Sequence, residues 1–196
     1  TFPHSEEMAA MTTAAPRARA KVPGTEESRA PPTVEELTIP DSMLNGASAQ
    51  KLIRFVHEVQ EARVALTQNF DSRFSDLVTA GKGDDYPQLV EQFKVLYAAC
   101  DASLETIATR LAATPSAGAA SKMVTSIVLE ERSRADAHLQ VQVMRQHKSV
   151  AGAAGDAGVA STAEALVMVE ENEKSHVLKI AELHDELHAE AADLED

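Results

Sequence analysis

Along most of the chain, apolar side chains recur at alternating steps of three and four residues, the interval that stacks them on one face of an α-helix. Between residues 48 and 80 the stripe is Leu52, Val56, Val59, Leu66, Phe70 and Leu77, and it is continuous once Arg63 and Arg73 are counted as positions that bury their aliphatic stems. It predicts one long helix, broken at Gly81-Lys82-Gly83-Asp84-Asp85. Tyr86-Pro87 opens the next, because a proline in the first turn lacks only an amide hydrogen that would have no partner there. Leu89, Phe93, Leu96, Cys100, Leu104, Ile107 and Leu111 then follow in steps of four and three, the clearest pattern in the chain and one that packs against neighbouring helices. Thr114-Pro115-Ser116-Ala117-Gly118 ends this second helix, and so short a break predicts an antiparallel hairpin with the helix that follows a tight turn.

A third helix is expected over 121–147, with Met123, Val124, Ile127, Val128, Ala135, Leu139, Val143 and Met144 as a broader stripe. Residues 149–162 read as a Gly/Ala linker, and Ser161 followed by Glu164 as the capping box of a fourth helix. That helix carries Leu166, Val169, Glu173, His176, Ile180, Leu183, Leu187, Ala191 and Leu194 in the same rhythm. At the other end, six of the eight prolines fall before residue 42, which predicts an extended arm laid on a partner surface. The expected fold is therefore all-α, a bundle of three to four long helices with an antiparallel helical hairpin. Its organisation is an extended proline-rich arm at 1–46, a three-helix bundle core at 47–148, the linker at 149–162 and an acidic C-terminal helix at 163–196.

Charge narrows the choice of partners. The 196 residues hold 18 Lys and Arg against 31 Asp and Glu, a net charge of −13. Twelve acidic residues and two lysines lie beyond residue 148, so the fourth helix is an acidic rod. Such a balance repels phosphate backbones and disfavours direct nucleic-acid binding, leaving other protein subunits of a large assembly as the expected partners. The apolar runs fall far short of the roughly 20 residues that span a bilayer, and a lone cysteine makes no internal disulfide. An intracellular setting follows, with the cytoplasm or a cilium/axoneme favoured. Arg17, Arg19 and Lys21 among Ala and Thr leave a mitochondrion open, and a nucleus stays open too.

The sequence holds no glycine-rich phosphate cradle, nucleophile elbow or paired acid and base, and no catalytic residue, metal ligand or cofactor site is assigned. Cys100 falls on an apolar stripe and reads as a core thiol. His184 and His188, four apart on one helix face, have the spacing of two metal ligands. Asp185 stands where a zinc protease needs its glutamate, and no third ligand is evident, so both read as solvated or interface histidines. His57, beside the first stripe, reads as a half-buried structural group. The greasy seams are expected to leave no pocket in which a reaction could run.

Leu52-Ile53-x-x-Val56-His57-x-Val59-Gln60-x-x-Arg63 resembles the opening of the required-for-excision B-type domain, a eukaryotic family named from an algal DNA excision-repair gene. Tyr86-Pro87 is similar to the aromatic-Pro step of its second helix, Leu129-Glu130-Glu131 to a Leu-Glu-Glu step on its third, and Leu139-Gln140 with Met144 follow at similar spacing. Glu173 to Glu195 resembles its acidic closing helix. The resemblance implies a helical protein with a genetic link to repair and no known enzymatic activity. His57, Gln60, Arg63 and Glu131 are polar groups at motif positions on otherwise apolar helices, and we expect them to form inter-helix or interface hydrogen bonds that fix register. The expected function is a non-enzymatic scaffold or adaptor subunit of a larger assembly, cytoskeletal, axonemal or organellar. The alternative is an accessory protein of nucleotide-excision repair acting through protein contacts.

Overall fold

The computed structural model describes residues 31–154 and 159–194, and among them it is helical with no strand. Two short helices, α1 (Val34–Leu37) and α2 (Asp41–Leu44), precede four long ones: α3 (Ala49–Thr79), α4 (Tyr86–Ala112), α5 (Gly118–Ala154) and α6 (Val159–Asp193). Ser48 caps α3, its side chain accepting from the Lys51 amide at 3.4 Å. The helix closes at Gly81, whose φ of +67° is the left-handed conformation a glycine adopts without strain. A 3₁₀ turn, Gly83–Asp85, leads into α4 with Pro87 in its first turn.

All seven positions of the α4 repeat, Leu89 through Leu111, are buried. Arg63, Thr67, Phe70 and Phe74 of α3 meet, in that order, Asp101, Tyr97, Phe93 and Tyr86 of α4. Ser121 at the start of α5 donates to the Ala108 carbonyl of α4 at 2.8 Å. Glu130, His138 and Arg145 of α5 then meet His176, Glu173 and Glu170 of α6. The far end of α6 returns to α3, where Leu187 and Leu194 join the core and Gln50 Nε2 donates to the Leu194 carbonyl at 2.8 Å.

Three expectations are revised. Part of the expected arm is helical: Thr33 and Glu36 form a capping box, and Leu37 and Leu44 are buried. Ser103 of α4 pins this stretch by donating to the Leu37 carbonyl at 3.1 Å and accepting from the Ile39 amide at 3.4 Å. Pro40 stands at the N-cap of α2, where its missing donor costs nothing. Residues 1–30 of the arm lie outside the described residues. The Gly/Ala stretch is helical up to Ala154 and again from Val159, because alanine, the best helix former, carries the helix through the isolated Gly152. Residues 155–158 lie outside the described residues. On α5 the buried face includes Ala137 and Val141, whereas Val143, expected on the stripe, is exposed.

Candidate functional site

The centre of the helical core holds charge. Arg63 sits on the apolar stripe of α3, 1% exposed, and its guanidinium is held on two sides. Nη1 donates to Asp101 of α4, and Nε donates to Glu131 of α5 at 3.0 Å. Two further arginines complete the arrangement from α5. Arg134 donates to Glu131 at 2.8 Å, while Arg132 donates to Asp101 at 2.9 Å and to Glu105 at 2.6 Å. The Tyr97 ring lies 5.1 Å from the Arg63 guanidinium carbon, and the Tyr97 hydroxyl is 3.0 Å from Thr67 Oγ1. Three cations and three carboxylates from three helices thus neutralise one another. A buried guanidinium demands this, because an unpaired charge in the interior costs several kcal/mol. Cys100, fully buried beside this network, has its thiol pushed up to about 11, first by desolvation, and is no nucleophile.

Of the four residues singled out in the sequence, the structure joins Arg63 and Glu131 directly. Gln60 lies one turn before Arg63, buried, and its Nε2 has no hydrogen-bond partner among the described residues. A buried amide donor left unmade is a net loss, so Gln60→Met should stabilise the chain by about 1 kcal/mol. Its thermal melt should rise by about 2–4 °C, and a fall would show that Gln60 does bonding work. His57 faces α6 instead of the network.

That face gathers three imidazoles. The His57 ring lies 5.3 Å from that of His184 and 6.3 Å from that of His188, centroid to centroid. The pair noted for its metal-ligand spacing thus gains a histidine from α3, yet no group of three or more His, Cys, Asp and Glu among the described residues is placed to hold a metal ion. Desolvation, then the nearby His188, hold His57 below the ordinary imidazole value against the opposing charge of Glu61. Desolvation and His57 do the same to His184, opposed by Glu131 and Asp185.

A second histidine site has the opposite character. His138 of α5 places Nε2 at 2.8 Å from Asp71 of α3 and Nδ1 at 2.7 Å from Glu173 of α6. With a carboxylate on each ring nitrogen, both nitrogens donate only when the ring is protonated. Burial alone would lower its pKa; the bonds and charge of Asp71, then of Glu173, outweigh that and raise it. His176 adds a clip to Glu130 at 2.7 Å, and that hydrogen bond is the main reason the Glu130 carboxyl sits below its ordinary value.

The signs give a prediction. A histidine whose folded pKa is raised contributes fully below the unfolded value of about 6.5, and its contribution is lost as pH rises through the folded value. A histidine whose folded pKa is lowered works against the fold as pH falls from about 6.5. Between pH 5 and 8, about one unit and a half either side of that value, the melting-temperature difference between the natural chain and His138→Ala should be largest at the acid end and shrink upward. His184→Leu should gain on the natural chain as the solution is acidified. Parallel profiles for all three proteins would contradict this assignment.

The packed helices nonetheless leave a cleft. A cleft of about 350 Å³ lies between α3, α4 and α5 beside the arginine network, floored by Phe70, Phe93, Tyr97 and Leu139. It stays open because Ala98 and Ala135 stand on its walls where larger side chains would close it. Asp101, Arg132, Arg134 and His138 were not among the residues expected from the sequence. The available signal was a charged or imidazole group within a helical apolar context, and it does not say which partner, 30 to 70 positions away, each would meet. Among the described residues, no helix is long and apolar enough to cross a membrane.

In comparison with known proteins, residues 51–145 match the family model described as DNA repair REX1-B. No curated protein and no solved structure matches the chain. The matched segment contains Arg63, Asp101 and Glu131 together with the α3, α4 and α5 surfaces they join.

Proposed function

We propose that this chain, whose residues 51–145 match the family model described as DNA repair REX1-B, is a non-enzymatic scaffold or adaptor subunit of a larger protein assembly. The observation that carries the reading is the closed charge network. In the family segment, the ionisable groups nearest the core, Arg63, Asp101 and Glu131, are spent on one another instead of being aimed at a substrate. On this reading α3 and α4 form an antiparallel hairpin and α5 and α6 complete a bundle whose register the network fixes. Rigid helical faces of this kind present partner-binding surfaces. Leu129 of α5 and Val167, Met168 and Leu178 of α6 are exposed apolar positions available to a neighbour. The acidic α6 would meet a basic protein surface, so association should weaken steeply with added salt. An assembly in the cytoplasm, cilium or an organelle suits these features.

A second reading comes from the family description: an accessory protein of nucleotide-excision repair, nuclear and acting through protein contacts. The two separate on what the tagged full chain holds when isolated from cells, measured by quantitative mass spectrometry. Stoichiometric cytoskeletal, axonemal or organellar subunits, released by salt, are expected. Repair factors in constant ratio to the chain would replace the first reading by the second, and a partner-free monomer would end both.

A further inference from the structure

The cleft between α3, α4 and α5 has properties that an accidental packing gap lacks. Its floor is aromatic and aliphatic, and two of its walls are locked: Tyr97 by Thr67 and the Arg63 guanidinium, Phe70 by edge-on contact with the Phe93 ring at 5.2 Å. Its size, about 350 Å³, falls within the range of small-molecule sites. Its mouth carries accessible cations. Arg63, Lys94, Arg132 and Arg134 line it together with Asp101 and Asp136; Asp101, Glu105 and Glu131 balance the three arginines, and Lys94 and Arg132, both about half exposed, are the cations that open toward solvent.

Two of those cations have capacity to spare. Among the described residues Lys94 pairs with Glu91, and both side chains are largely exposed, so that pair is weak and readily exchanged. Arg132 bonds through Nε and Nη2 to Asp101 and Glu105, leaving Nη1 for another acceptor. Arg63 and Arg134 are held within the network, where Asp101 and Glu131 balance their charge.

We propose that this cleft is a binding site for a small amphipathic anion, its apolar or aromatic body seated on Phe93, Tyr97 and Leu139 and its acidic group turned to Lys94 and Arg132. The apolar floor supplies affinity through area removed from water, and the cationic mouth selects the end that stays wet. The proposal is independent of the adaptor reading, since a scaffold and a repair accessory would each carry the same cleft.

The test uses the full chain and 1-anilinonaphthalene-8-sulfonate, a fused aromatic body with one sulfonate, with uncharged N-phenyl-1-naphthylamine as its control. Titration followed by fluorescence and by amide shifts should show one saturable site, with perturbations confined to 93–101 and 132–139. Ala98→Trp, made at an exposed position on the cleft wall, should weaken binding at least tenfold, and Ala135→Leu should do the same should the first variant fail to fold. Lys94→Glu should weaken the sulfonate several-fold and leave the uncharged analogue unchanged, while Lys174→Glu on α6 changes neither. Absence of saturable binding, insensitivity to the wall-filling or Lys94 variants, or perturbations centred on His57 and His184 would each overturn the proposal.

Discussion

Arg63→Ala should destabilise the chain by about 3–5 kcal/mol, among the largest effects available to a single substitution here. The loss does not measure an attraction. Removing the guanidinium leaves the buried carboxylates of Asp101 and Glu131 without their central partner, with only Arg132 and Arg134 to answer them from the α5 side. The midpoint of thermal unfolding followed by circular dichroism should fall by about 6–20 °C for a chain of this length. Glu131→Gln should cost less, because a neutral amide keeps an acceptor for Arg63 Nε at the same place. Equal melts for Arg63→Ala and the natural chain would mean that the network is absent in solution.

Phe70→Ala is expected to have a comparable effect, about 3–5 kcal/mol, for an unrelated reason. The ring is 1% exposed and lies at the junction of α3, α4 and α5, with centroids 5.2 Å from Phe93, 6.4 Å from Tyr86 and 5.9 Å from His138. Truncation removes its transfer free energy and its edge contacts together. Because the ring also floors the cleft, the void it leaves opens to solvent and fills with water, which places the expected loss toward the lower end of that range, about 3 kcal/mol. Urea unfolding should show a lower midpoint with an unchanged slope. Phe55→Ala makes a useful comparison: the ring is also buried, at 5% exposure, but lies outside the cleft, so it has no such access to water.

Much of the helical fold is legible in the sequence where one helix buries one face. The Leu89 to Leu111 series on α4 is read correctly at every position because its strict steps of four and three keep all seven on one stripe, which meets both α3 and α5. On α5 the same reasoning slips: its first half packs on α4 and its length on α6, so two partial faces overlap and Val143 is assigned inward while Ala137 and Val141 are missed. The two turns at 34–44 were hidden by their prolines, which discourage a long helix and do not forbid a single capped turn. Within the site, Arg63 stands out as a charge on an apolar stripe. Asp101 does not, because it sits just off the stripe next to Cys100. His138 carries no linear signature at all, since Asp71 and Glu173, its two carboxylates, come from different helices.

The network also bears on why charge is kept in the middle of packed helices. Buried ion pairs seldom exceed an apolar replacement in stability, so their retention calls for another role, and fixing the register of α3, α4 and α5 is the one we assign. The most direct measurement is pulsed electron double resonance between spin labels at exposed Glu61 on α3, Ala102 on α4 and Ser133 on α5, in the natural chain and in a variant carrying Arg63→Met, Asp101→Leu and Glu131→Met together. The account predicts that the variant melts within a few degrees of the natural chain while its narrow distance distributions broaden or split. Distributions as narrow as before, at the same means, would contradict it.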